Sequence, residues 1–403
     1  MTSKMVLDGV KVVEVSTWAA GPTCGMWLAE WGADVIRVEP IEGDAVRGFA
    51  QWGILPTTDF NFLWEMWNRS KRGIAVDLSR EQGQDIVHRL VEKSDIFLAN
   101  LRPNALKRAR LEYEILSTLN PRIIYASITG HGNKGPGTEW PAFDDLAFWA
   151  RAGIGSTLGE PDGPYVNLRG AMGDHTTGMF MLGGIVLALY ARERTGYGQR
   201  VDTSLLSCGV WVAGVDIQGA LTYEVTVEKP SRKTTTNPLF NYYQCKDGKW
   251  IVFSMLQSDR YWPNFCKALG RENLEHDPRF NSFQKRIDNS MELVKIIDEV
   301  IVTKNQKEWE PLFIKNGLVF ALAQTPDQVI KDPCVLENDC IVEYDHHSRG
   351  KIKGISCPVQ LSRAPSKIRG SAPEYSQHTE EVLLELGYKW EDISKLKDEK
   401  VIP

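Results

Sequence analysis

The chain has 403 residues, 42% of them hydrophobic and 25% charged, with a formal net charge of −5. This is ordinary globular composition, long enough for two or three domains or for one large domain with an insertion. A net negative chain without a long basic block excludes a general polyanion binder, and no nucleic-acid partner is expected.

In chain order, Val10 to Val15 (VKVVEV) is a β-branched run that reads as a strand. The stretch STWAAGPTCG follows as a loop, leading into a helix that runs through Trp31. ADVIRVE (33–39) is a second strand and GIAVDL (73–78) a third. REQGQDIVHRLVEKS (80–94) is an amphipathic helix with Ile86, Leu90 and Val91 on one face. DIFLAN (95–100) and RIIYASITG (122–130) are strands with a helix between them. This β-α-β-α order predicts a parallel sheet covered by helices on both faces.

Met179 to Ala191 (MFMLGGIVLALYA) is the most apolar segment. It is too short to span a bilayer and ends in Arg192, Glu193 and Arg194, so it reads as a buried core helix. The polar stretch EVTVEKPSRKTTTNP (224–238) reads as a surface connection. LFNYYQCKDGKWIVFSM (239–255) is then a hairpin turning at KDG, and residues 258 to about 325 are expected to be helical. KIKGISCPVQLS (351–362) returns to strand character, and HTEEVLLELGY (378–388) is helical.

The N-terminal MTSKMVLDGVKVVEV enters a strand pattern without the apolar region of a secretory leader. Seven cysteines, with no C-x-x-C pair, point to neither a disulfide framework nor a zinc site, and a reducing cytoplasm is expected. His346 and His347 are sequence neighbours, which rarely face the same way, so no metal site is expected there.

Ligands of a parallel α/β sheet bind beyond the carboxyl ends of its strands. The first such loop, STWAAGPTCG, lacks the G-x-G-x-x-G spacing of a dinucleotide site, and no P-loop lysine pattern is present. After DIFLAN comes LRPNALKRAR, with Arg102, Lys107, Arg108 and Arg110 beside a Pro103-Asn104 turn that opens a helix. Cations beside free helix N–H groups suit phosphates, while the alternative is a solvated basic helix face. RGAMGDHTTGMFML (169–182) carries a carboxylate, Asp174, where a glycine-rich loop enters a helix. Asp is a good N-cap, and an exposed carboxylate at a tight turn is also a candidate nucleophile; the two roles can coexist. No G-x-S-x-G motif accompanies it, and His131 and His175 show no nucleophile-activating spacing.

These segments resemble the family III CoA-transferases, which include formyl-CoA:oxalate and carnitine CoA-transferases and the related α-methylacyl-CoA racemases. LDGVKVVEVSTWAAGPTCGMWLAEWGADVIRVEPIEGD (7–44) is similar to the family's opening. NRSKRGIAVDL, NPRIIYASITGHG, GDHTTGMF, RTGYGQRVDTSLL and HTEEVLLELGY follow in the family's order. The resemblance implies an α/β fold: a Rossmann-like large domain with an inserted smaller α+β domain, in an interlocked dimer. The boundaries implied are 1–224 for the first part of the large domain, 225–330 for the small domain and 331–403 for the returning segment.

The resemblance also implies that Asp174 is the catalytic aspartate of a CoA-transferase working through aspartyl anhydride and aspartyl-CoA thioester intermediates. Glycines around Asp174 are expected to make room for the acyl group, and backbone N–H groups there to stabilise oxyanions. CoA-binding positions carry over by match. Trp18, Ala19 and Ala20 fall on the first loop, near adenine or pantetheine. Val76 falls in the adenine region. Asn100, Leu101, Arg102, Ala105 and Arg108 match the loop that holds the nucleotide and its phosphates, and Phe143 and Asp144 lie close to the acyl end. No permanently bound cofactor or metal is implied, and coenzyme A thioesters are the substrates. The partners implied are an acyl-CoA, a carboxylic acid and a second chain, either identical or a related subunit, with no membrane.

Some positions depart from the pattern. The oxalate enzyme's tyrosine is Phe143 here and its glutamate is Asp144; its glycine-rich loop has no counterpart between 225 and 260. Formate and oxalate are therefore disfavoured. The racemases place a histidine where Phe143 stands, and a phenyl ring cannot exchange a proton. An α-methylacyl-CoA racemase-like epimerase and a non-catalytic partner subunit are the alternatives. Of the 13 tryptophans, Trp18, Trp27, Trp31, Trp52, Trp64 and Trp67 cluster near the N-terminus, as core and interface or as the lining of a larger apolar pocket. The acceptor expected is an aryl- or alkyl-substituted dicarboxylate, with succinyl-CoA as donor.

Overall fold

The computed structural model describes residues 5–52, 59–225 and 228–403, with the side chains of residues 49–52, Trp52 among them, outside the description. The chain forms two compact units. One comprises Met1–Gly155, Asn167–Glu224 and Cys334–Pro403, the other Ser156–Val166 and Val225–Pro333. Thr226 and Val227, inside the polar connection read from the sequence, lie outside the described residues.

The first unit is built on a six-stranded sheet in the order β3-β2-β1-β4-β5-β6. Its strands are β1 (Lys11–Val15), β2 (Asp34–Glu39), β3 (Arg72–Ala75), β4 (Ile96–Ala99), β5 (Ile124–Thr129) and β6 (Arg200–Ser204). Every pairing is parallel. Parallel strands must be covered on both faces, and the alternation of side chains serves each in turn. Val13, Val15, Phe97 and Ala99 face a core made with Ile86 and Leu90 of the helix Glu81–Glu92 and with Val382 and Leu396 near the C-terminus. Val12, Ile96, Leu98 and Ala126 face the opposite core, with Cys24 and Leu28 of α1 (Ala20–Glu30) and Met181 and Ile185 of a long helix, Met172–Thr195.

Two expectations change. The stretch read as a loop, STWAAGPTCG, is helical from Ala20 onward. Pro22 is tolerated because it stands in the first turn, where its missing N–H has no intrahelical partner to lose. The glycines of α1 answer a packing demand: a Cβ on Gly25 would lie 1.8 Å from Glu14 Oε2. The apolar helix is longer than Met179–Ala191, and only one face is buried. Met181, Ile185 and Ala188 are in the core, whereas Val186, Leu187 and Tyr190 are exposed. Among the described residues no single helix is long and apolar enough to cross a membrane.

The strand order reverses between β1 and β4, and the loops leaving these strands are tied together. Asn100 Oδ1 accepts from Thr17 N at 2.8 Å, and Asn100 Nδ2 donates to Thr17 O at 2.7 Å. Beneath this point lies a buried charge cluster. Glu14 pairs with Arg37 Nη1 and Lys71 Nζ, each at 2.8 Å, and Arg37 also pairs with Asp44. Burial brings Lys71 down to about 8. Such charges are tolerable inside a protein only while paired.

The second unit has an antiparallel sheet of β7 (Phe240–Gln244), β8 (Trp250–Ser254) and β9 (Phe320–Leu322), ordered β7-β8-β9. Helices packed around it include Ser258–Leu269, Ser290–Ile301 and Gln306–Lys315, with Phe253, Phe265, Trp309 and Phe313 at the centre. The hairpin turns at Gly248, φ 76°, as KDG predicts. β9 lies inside the segment read as helical: three residues are too short to show a strand period, and pairing with β8 decides their conformation. Glu160 ties the Ser156–Val166 stretch to this unit, accepting from Ser231 Oγ at 2.6 Å and Arg232 N at 3.0 Å. KIKGISCPVQLS contributes Gly350–Ile355, paired antiparallel with Ile341–His346 in the first unit.

Replacing Glu14 by Gln leaves Lys71 without a counter-charge and weakens the hold on Arg37. A loss of about 3 kcal/mol is expected, read as a lower urea midpoint at unchanged slope.

Candidate active site

The long helix Met172–Thr195 has an unusual beginning. Gly170 and Ala171 both have positive φ, 76° and 57°, and Ala171 is the N-cap without a side-chain cap of its own. Asp174 is therefore not the N-cap expected from the sequence. It stands in the third position of the helix, because the left-handed pair turns the chain into the helix three residues earlier than expected. The capping oxygen comes from elsewhere: Asp144 Oδ2 accepts from Gly173 N at 3.1 Å, and the amides of Asp174 and Asp145 also favour its charge. Burial nonetheless holds Asp144 above the ordinary carboxylate range.

This arrangement explains Gly173. A Cβ there would lie 2.7 Å from Phe148 Cγ and 2.8 Å from Asp144 Cβ, so its smallness permits the approach of the π-helical turn Asp145–Ala150. The glycine was expected to make room for an acyl group; instead it makes room for the cap. The first-turn amide of Gly173, expected as an oxyanion donor, is likewise already engaged by Asp144.

Asp174 itself is half-buried, and no hydrogen bond reaches its carboxylate from any described residue. Burial, with the negative charges of Asp144 and Asp145 adding to it, pushes this carboxyl up to about 8. The helix amides that would favour an anion serve Asp144 instead.

Most positions matched to CoA binding form one connected path. Asn100 holds Thr17; next to it, Trp18, with φ 60°, packs edge-on against the half-exposed Phe143 at 5.3 Å; Phe143 precedes Asp144, which caps the helix of Asp174. Ala19 and Ala20, both buried, start α1. Leu101 packs on the main core, and the exposed Arg102 precedes a short helix, Pro103–Arg108, that carries Ala105 and Arg108. The free N–H groups expected at this helix start are not all free. Glu139 Oε1 accepts from Asn104 N at 2.9 Å, and Arg102 Nη1 lies 3.4 Å from the Glu139 carbonyl. Val76, just past β3, is fully buried in the core, so its side chain offers no surface to a ligand, and β3 is separated from β4 by β2 and β1.

Sequence reasoning named His175 beside Asp174 but missed its partner. Trp67 Nε1 donates to His175 Nε2 at 2.8 Å. An indole N–H can only donate, so His175 Nε2 is unprotonated and the neutral ring carries its proton on Nδ1. Burial lowers the His175 pKa and keeps it neutral. Both residues line an apolar cavity of about 600 Å³ together with Met26, Trp27, Met66 and Phe180. Trp64 and Trp67 are core residues of the cluster that includes Trp18. No spacing rule links positions 67 and 175; only the fold brings them together.

His346 and His347 also depart from expectation. Their rings stack at 4.4 Å, but their Nε2 atoms point to different carboxylates, Glu65 at 3.5 Å and Glu374 at 3.1 Å. Among the described residues no group of three or more metal-ligating side chains assembles.

A parallel sheet with a half-buried carboxylate near its switch-point loops belongs to the class of α/β proteins that bind ligands at the carboxyl edge of the sheet. Comparison with known proteins makes this specific: a family profile described as CoA-transferase family III matches residues 7–379, and the chain belongs to that family. It is 34% identical over 402 residues to the (R)-2-hydroxy-4-methylpentanoate CoA-transferase of Clostridioides difficile, covering 99% of this chain and all of that one. It is 33% identical to the cinnamoyl-CoA:phenyllactate CoA-transferase of Clostridium sporogenes, over 98% of this chain and 97% of the relative. A crystal structure of a CaiB/BaiF family protein from Brucella suis superposes with a TM-score of 0.83 at 28% identity, over 95% of this chain and 100% of the other.

Asp174→Asn is expected to stabilise the fold. The folded pKa of about 8 lies above the unfolded value, so this side chain opposes folding progressively as pH rises from the unfolded pKa to 8. After discounting for solvent around a half-exposed group, a gain of about 1–2 kcal/mol at pH 8, vanishing near pH 4, is expected in denaturant titrations of the two proteins.

Proposed function

We propose that this family III CoA-transferase moves CoA from an acyl-CoA to a carboxylic acid through Asp174. The observation carrying the proposal is the half-buried Asp174 carboxylate, unpartnered among the described residues, near the Trp18–Phe143–Asp144 path whose residues the sequence resemblance assigns to CoA. Its ionised oxygen attacks the donor's thioester carbonyl; the C–S bond breaks and a mixed acyl–aspartyl anhydride forms with CoA thiolate held nearby. The thiolate attacks the aspartyl carbonyl, releasing the donor acid and leaving an aspartyl-CoA thioester. The acceptor carboxylate then displaces CoA to give a second anhydride. CoA thiolate attacks the acceptor's acyl carbon, and Asp174 is restored. No net proton or phosphate is consumed, and water must be kept away from both anhydrides.

Racemisation requires a proton-exchanging group where Phe143 stands, and its ring, packed on Trp18, supplies none. The sequence favours succinyl-CoA as donor and a substituted dicarboxylate as acceptor. The apolar cavity beside His175 supports the alkyl or aryl part of that reading, although a second carboxylate would find no Lys or Arg among the lining residues. The names of the relatives, which specify branched and aryl acids, point the same way. We take the active form to be an interlocked dimer with the second compact unit as its inserted small domain. The exposed apolar stripe of Val186, Leu187 and Tyr190 supports a covering partner.

Incubation with acyl-CoA and hydroxylamine, followed by peptide mass spectrometry, should place a hydroxamate at residue 174. Asp174→Ala should lose both the adduct and turnover; undiminished turnover in that variant overturns the proposal. Because the carboxyl must ionise to attack, kcat/KM should climb roughly tenfold per pH unit below about 8 and level off above it. Asp145→Asn removes a like charge and should move that midpoint to lower pH.

A further inference from the structure

We propose that Ser371, His347 and Glu374 form a second nucleophilic site, separate from Asp174, that hydrolyses small carboxylic esters through an acyl-serine. It does not depend on the role assigned to Asp174.

Three observations converge. The first is geometry. Ser371 Oγ lies 2.6 Å from His347 Nδ1, and His347 Nε2 lies 3.1 Å from Glu374 Oε1. A carboxylate can only accept, so the ring proton sits on Nε2 and Nδ1 is left to accept from the serine hydroxyl. A hydroxyl, a base within hydrogen-bond reach and a third group orienting that base are the parts of an activated nucleophile. No sequence motif marks them. They meet where the C-terminal segment passes the hairpin of Ile341–His346 and Gly350–Ile355.

The second is support from outside the three residues. Gly370 O accepts from Ser70 N at 3.0 Å and Ala372 N donates to Glu65 Oε2 at 2.9 Å, so the chain is tied on both sides of Ser371. The His347 ring stacks on that of the buried His346, with centroids 4.4 Å apart. His346 is not a second base of this kind, because its Nδ1 accepts from Ser348 N at 3.2 Å. The Glu374 amide is fixed by Gln377 Oε1 at 2.8 Å. Groups that react need such bracing to keep their geometry.

The third is space. His347 and Glu374 line a cavity of about 300 Å³ together with Phe60, Asn61, Trp64 and Ala372. That volume is at the lower end for ligand sites and suits a small ester, not a whole CoA thioester. The cations in the wall, Arg47 and Arg349, are already paired with Glu39 and Asp59, which favours a neutral ester over an anion. Ser371 is partly exposed, and its N–H has no hydrogen-bond partner among the described residues. It offers a donor to an oxyanion formed at the attacking oxygen.

As Ser371 Oγ bonds to the ester carbonyl carbon, its proton passes to His347 Nδ1, and Glu374 holds the imidazolium. The intermediate collapses with cleavage of the ester C–O bond, and His347 returns the proton to the departing alcohol. Water, deprotonated by His347, then releases the acid and restores the serine. Ester and water become acid and alcohol.

The test uses the full-length protein, a fluorophosphonate probe and p-nitrophenyl propionate. Peptide mass spectrometry should place the phosphonyl group on Ser371. Ser371→Ala, at an unchanged urea midpoint, should lose both the label and the release of p-nitrophenol. His347→Gln should lower both by about a hundredfold. Should the alanine variant fold poorly, Ser371→Cys decides. Its thiol, paired with His347, should react with iodoacetamide at about pH 6 at least tenfold faster than the exposed Cys334 and Cys340. An unlabelled Ser371, a label without ester turnover, or turnover that persists in folded Ser371→Ala overturns the proposal. So does labelling that is indifferent to His347, or a thiol at 371 no faster than the other two.

Discussion

The hydrogen bond from Gly173 N–H to Asp144 organises the candidate active site. A helix start offers several unpaired amides, and an anion normally settles on them. Here that anion is supplied by the π-helical segment after Phe143. Asp174, the third residue of the helix, is left with the electrostatic cost of its own burial and of two neighbouring carboxylates. A carboxylate that is poorly stabilised by its own protein retains its reactivity towards an acyl carbon. The same hydrogen bond ties Phe143, and through it Trp18, to the loop beyond β1.

That loop is held by a different device. In an open parallel sheet a crevice forms where the chain order reverses, between β1 and β4. Asn100 bridges the two loops with a donor and an acceptor, so neither can drift independently. Below them, Glu14 pairs with both Arg37 and Lys71 in a space where glycines allow α1 to lie against the sheet. Paired buried charges contribute little net stability, but they tolerate few alternative arrangements. The tie across the crevice and the unpartnered carboxylate at the helix start thus come from separate interactions, linked through Trp18 and Phe143.

The aromatic residues show how one residue type divides among roles. Trp309 and Phe313 stack in the core of the second unit. The guanidinium groups of Arg37 and Arg47 lie over the Trp64 ring, 5.0 and 3.6 Å from its centroid, and its indole N–H donates to the Pro373 carbonyl at 3.0 Å. Trp67 instead spends its N–H on His175. Composition alone cannot separate these uses, because each satisfies the same need of a large ring with one polar atom.

The sequence by itself determined the class of fold and the family. Apolar strand runs alternating with amphipathic helices require a covered parallel sheet, and the ordered motifs around Asp174 point to CoA-transferase chemistry. These are legible because period and motif are local properties. What only the tertiary structure decided were pairings between distant segments: Asp144 rather than Asp174 at the helix cap, Glu139 on the amide of Asn104, β9 on β8, and Trp67 on His175. A hydrogen bond between residues 108 positions apart leaves no periodic trace in the chain. It depends on where two helices come to rest against each other, and that is set by the packing of the whole domain.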